Sequence, residues 1–123
     1  VTTDALESTP RERREDSALW LGIVVPPLAW AADELVGLVF SDFVCDSGHR
    51  WLLQAVTVGA FLLAALAGAI SWRAGAAVPA AGHEPRVEDR RRFMRAIGGL
   101  TTLYFLLVIV AGAVPGLLHR PCD

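Results

Sequence analysis

Three apolar blocks, Leu19–Phe40, Trp51–Trp72 and Ile97–Leu118, constrain this chain more than any other feature. Each runs about 22 residues, the length a tilted helix needs to cross the roughly 30 Å hydrocarbon core of a bilayer. A helix packed in water carries polar residues every third or fourth position on its outer face, and these blocks do not. Hydrophobic residues make up 54% of the 123 residues. Their bunching into three runs, more than their number, favours membrane spans over a soluble core. The sequence predicts an all-α integral membrane protein with three transmembrane helices, over about 19–40, 51–72 and 97–118. A signal peptide is not expected, because the first apolar run is too long and no small-residue cleavage site follows it.

Charge sets the expected topology. All eleven basic residues are arginine. Nine precede the first block or fall between the second and third, whereas only Arg50 and Arg120 lie on the other connections. The positive-inside rule then places the N-terminus in the cytoplasm and the C-terminus outside. Residues 1–18, polar and of mixed charge, are expected to form a flexible cytoplasmic tail. Residues 73–96 become a cytoplasmic loop and 119–123 an outer tail. Arg90, Arg91, Arg92 and Arg95 abut the third span, where anionic headgroups or an acidic partner surface would meet them. Glu88 and Asp89 fall between Arg86 and this run, so topology accounts for it and no nucleic-acid partner is expected.

The first block holds two features that a span normally avoids. Pro26 and Pro27 each remove a backbone donor, which predicts a kink that neighbouring helices can support. Asp33 and Glu34 form an ionisable pair roughly 20 Å along the helix, and such a pair should face protein, headgroup or water. The second span runs the other way and brings Gln54 and Thr57 to a similar level, so a hydrogen bond from Gln54 to either carboxyl group is expected. Together with Tyr104 in the third span, Asp33, Glu34 and Gln54 are candidate intramembrane polar or partner-contact residues. Three readings stay open for the carboxyl groups: hydrogen bonding within the bundle, a partner contact, or the coupling group of a small oligomeric transporter. Ala60, Ala64 and Gly68 form a small-residue stripe suited to close helix packing, and Gly112 and Gly116 offer a second such spacing. The remaining apolar faces suit lipid.

Cys45 and Cys122 are the only cysteines, and the expected topology puts both outside, where disulfides form and persist. A Cys45–Cys122 bridge is predicted. The alternative is a Cys2His2 metal site from Cys45, His49, His119 and Cys122. No histidine falls inside a span, which argues against haem ligation by this chain, and no cofactor is expected to be bound by it alone. There is no phosphate loop and no nucleophile–base pair, so an enzyme is not expected.

Several strings together resemble a family of small bacterial membrane proteins encoded beside cytochrome c oxidase genes. They are PPLAW (Pro26–Trp30), Cys45 shortly after the first span, RRRF (Arg90–Phe93) before the third, and the terminal Pro121-Cys122. Family members carry a polar His or Gln in the first helix where this chain has Asp33-Glu34. The resemblance implies a non-catalytic accessory subunit of a respiratory membrane complex in the bacterial cytoplasmic membrane, with haem and copper in partner subunits. An assembly or metal-insertion factor that uses the outer Cys/His residues is the alternative, and the oligomeric transporter a further one.

Overall fold

The structure, a computed structural model, describes residues 10–76 and 85–119. It is all-helical over these residues: α1 spans Pro10–Ser47, α2 Trp51–Ala76 and α3 Pro85–Leu118. Each helix packs on both others, with α1 and α3 parallel and α2 antiparallel between them. All three contain a window long and apolar enough to cross a membrane. At most 17% of any such window is buried inside the bundle. So much outward apolar surface suits hydrocarbon and not water, and the chain is a multi-pass membrane protein.

The helices are longer than the apolar blocks. α1 has 38 residues and α3 has 34, or roughly 57 and 51 Å at 1.5 Å per residue, well beyond a hydrocarbon core. Residues 10–18, expected in the tail, instead continue α1, and residues 73–76 and 85–96, expected in the loop, continue α2 and α3. Pro10 and Pro85 each open a helix, a position where the missing N–H costs nothing and the fixed φ is already helical. Because α1 and α3 are parallel, both extensions emerge at the same end. An ion pair between Arg91 Nη2 and Glu15 Oε2, 2.9 Å apart, joins them. Residues 1–9 and 77–84 of the expected tail and loop, and 120–123 of the outer tail, lie outside the described residues.

At the other end the expected loop 41–50 shrinks to three residues. α1 continues through Ser41 and Asp42 to Ser47. Val44 is buried, and the Ser41 hydroxyl donates back to Leu38 O at 3.2 Å, so neither residue opens the helix. Gly48 does. Its φ is +73°, and its N–H donates to Val44 O at 3.0 Å, the left-handed glycine cap that satisfies a terminal carbonyl.

Small residues make the core. Ala29, Ala64 and Ile109 form its buried centre, with Ala60, Phe61, Leu106 and Trp30 packed against it. Toward the arginine-rich end the helices come closer still. A Cβ on Gly22 would fall on the Ser71 side chain, and one on Gly68 would fall on Thr102. Gly98 lies against both Ser71 and the Gly22 backbone.

α1 is unbroken through Pro26 and Pro27. Pro26 is fully buried. Lacking an N–H, it cannot donate to Gly22 O, its partner one turn back. The Thr102 hydroxyl of α3 donates to that carbonyl at 3.3 Å instead. One turn below, the Ser71 hydroxyl of α2 donates to Leu19 O at 3.2 Å. Both side chains therefore use close glycine-lined contacts to reach the backbone of α1.

Candidate functional site

Asp33, Glu34 and Gln54 lie on the half of the bundle away from the arginines, with Tyr104 nearer the middle. Asp33 is half-buried, and the Thr57 hydroxyl donates to its Oδ1 at 2.9 Å. That hydroxyl also lies 3.2 Å from Leu53 O, its own i−4 carbonyl. Gln54, the expected donor, is exposed and makes no hydrogen bond to a described residue. Thr57 takes its place because it sits three residues deeper, about 4.5 Å along α2. A β-branched hydroxyl near the helix axis reaches a carboxylate that a Gln on the outer face does not.

Glu34 differs from its neighbour. It is exposed and makes no hydrogen bond or ion pair with a described residue. It reaches over α3 at Gly112, where an added Cβ would meet Glu34 Oε1 at 3.6 Å, an ordinary contact. Counting along α1, Glu34 lies about 22 Å from Leu19 and about 10 Å short of Ser41. That is within the apolar band. Nearer the middle, Trp30 packs on Phe105 with ring centroids 5.7 Å apart, and Tyr104 meets Phe105 edge-on at 5.2 Å. Tyr104 is 62% exposed and, apart from the ring contact, has no partner among the described residues.

The small-residue stripe lies in the bundle: Ala64 and Gly68 are buried and Ala60 packs against the central cluster. Gly112 and Gly116 are both exposed, and nothing lies within 4 Å of a Cβ on Gly116. Of the two, only Gly112 comes near another helix, through the Glu34 side chain, and their spacing makes no close helix contact among the described residues. Sequence reasoning missed the trio Gly22, Ser71 and Gly98. The signal was present in Gly22 itself, which stands four residues before Pro26 and so carries a carbonyl without its usual donor.

Cys45 lies exposed in the last turn of α1, with His49 beyond it and His119 at the end of α3. No free cysteine occurs among the described residues, and no three His, Cys, Asp or Glu side chains converge among them. The other half of the predicted bridge and of the alternative metal site, Cys122, lies outside the described residues.

The arginine cluster sits at the opposite end. Arg91 pairs with Glu15, their side chains 13% and 19% exposed. Arg95 lies over the Trp72 indole, its guanidinium carbon 3.7 Å from the ring centroid. Arg90 and Arg92 are exposed. No protein-family model, curated protein or solved structure matches the chain.

Proposed function

We propose that this chain is a non-catalytic accessory subunit of a larger respiratory membrane complex in bacteria, a cytochrome c oxidase or an associated electron-transfer assembly, and that it stabilises the complex by helix packing. The observation that carries a subunit role is Glu34. It is an exposed carboxyl group inside the apolar band without a partner among the described residues, and hydrocarbon is a costly place for it. Gln54 and Tyr104 add exposed hydrogen-bonding groups on neighbouring helices. A bundle that ends in lipid has no use for these groups, whereas a neighbouring subunit with donors at that level satisfies them.

The respiratory host rests on the resemblance of PPLAW, Cys45, RRRF and Pro121-Cys122. In this reading the chain lies in the cytoplasmic membrane with its N-terminus inside. Cys45 and Cys122 form a bridge on the outer side, and haem and copper reside in partner subunits.

Purification from native membranes in mild detergent, through a tag on this chain, tests the proposal. Oxidase subunits in fixed stoichiometry with a reduced-minus-oxidised haem spectrum are expected. A colourless chain that runs alone while the oxidase stays intact in the same extract rejects it.

A further inference from the structure

The arginine-rich end carries two orphaned donors. Arg91 Nε and Arg95 Nε are both enclosed, and neither has a hydrogen-bond partner. They belong to residues one turn apart on α3, on the same face and about 5–6 Å apart at their Cβ atoms. An enclosed guanidinium N–H without an acceptor is costly enough to call for one from elsewhere. Arg91 spends its Nη2 on Glu15. Arg95 makes neither an ion pair nor a hydrogen bond among the described residues.

Arg95 is nevertheless held in place. Its guanidinium lies on Trp72, and its stem runs over Gly75, where an added Cβ would come within 2.7–2.8 Å of Arg95 Cδ, Cβ and Cγ. Only a glycine lets the side chain lie so low on α2. A stacked, half-buried arginine loses little further freedom on gripping an anion. The setting selects the ligand. Trp72, on which Arg95 lies, is an exposed apolar side chain, and just beyond it the apolar runs of α2 and α3 give way to arginines. Headgroup phosphates lie at that level.

We infer that Arg95, positioned by Trp72 and Gly75, forms with Arg91 a binding site for the phosphate of an anionic phospholipid. The phosphate oxygens accept from one edge of each guanidinium, and the acyl chains lie along the exposed apolar faces of α2 and α3. This site is independent of the host complex.

Native mass spectrometry of the full chain in micelles doped with phosphatidylglycerol or phosphatidylcholine tests it, using wild type, Arg95→Gln, Arg95→Lys, Gly75→Ala and Arg73→Gln. One phosphatidylglycerol is expected to be retained per wild-type chain in preference to phosphatidylcholine. Arg95→Gln should lower retention by about tenfold, the loss of one charge-assisted contact. Arg95→Lys and Gly75→Ala, which keep the charge but lose its planar fork or its placement, should each lower retention by a smaller factor. Arg73→Gln, an exposed arginine at the same end, should leave it unchanged. Equal retention by wild type and Arg95→Gln overturns the site. Equal losses in Arg95→Gln and Arg73→Gln also overturn it, because diffuse charge then explains binding. Full displacement by millimolar inorganic phosphate overturns the lipid assignment in favour of a free anion. Loss of an acidic protein from native pull-downs of Arg95→Gln, with lipid retention intact, overturns it in favour of a protein partner.

Discussion

Pro26 and Thr102 illustrate how one residue's deficit fixes another's identity across the bundle. Pro26 leaves Gly22 O without its helical donor, and Thr102 supplies one at 3.3 Å. Thr102→Val keeps the shape and removes the hydroxyl, and should destabilise the bundle by about 0.5–1.5 kcal/mol. Pro26→Ala restores an N–H at position 26, so Thr102→Val should cost much less in that background. A double-mutant cycle read by reversible unfolding in detergent measures the difference. Additive effects would mean that the hydroxyl and the proline are not linked through this carbonyl. The same contact depends on Gly68, because a Cβ there lands on Thr102. Gly68→Ala should cost about 1–3 kcal/mol by overpacking, measured in the same assay. Gly116→Ala, with open space around it, should be close to neutral.

Helix ends were harder to read than helix centres. The three spans were legible because hydropathy is a local property that composition carries directly. The ends were not, because Ser41-Asp42 and the charged residues 10–17 look alike in a loop and in a solvated helix. What separates the two states is a contact or a backbone angle. Val44 buries itself, Glu15 meets Arg91 from a helix far along the chain, and among the described residues only Gly48 takes a left-handed φ. Gly48→Ala should therefore cost about 1 kcal/mol from backbone strain alone, since no neighbour crowds its Cβ. Unfolding in detergent would show it, and no loss would mean that the turn adapts. The Glu15–Arg91 pair is partly exposed, so Glu15→Gln should cost about 1 kcal/mol or less. Its local effect should be larger: amide exchange should accelerate in both N-terminal extensions while the spans stay protected. The charge-swapped pair, Glu15→Arg with Arg91→Glu, should restore protection. The candidate site was legible to a similar extent. Asp33 and Glu34 stand out in any apolar run, but which of them finds a partner depends on how α2 is rotated and set along α1. That offset is the few ångströms that put Thr57, and not Gln54, beside Asp33.

At the scale of the whole molecule, two neighbouring carboxyl groups have opposite needs. Asp33 is satisfied inside the bundle by Thr57, so Asp33→Leu should harm the isolated chain. Glu34 has no hydrogen-bonding partner among the described residues, so Glu34→Leu should leave the isolated chain intact or stabilise its inserted form by on the order of 1–3 kcal/mol, the penalty of an ionisable group placed in hydrocarbon. If a neighbouring subunit normally meets Glu34, the same substitution should weaken association, because it strands a donor on the partner. The prediction is a split in sign: better unfolding resistance alone, poorer recovery of partner subunits from native membranes. Glu34→Gln retains an acceptor and should recover most of the association. A merely structural role would move both measurements together. Glu34→Leu that improves the isolated chain and leaves co-purification untouched would free the Glu34–Gly112 face for lipid. The docking surface would then have to be sought on the side of Gln54.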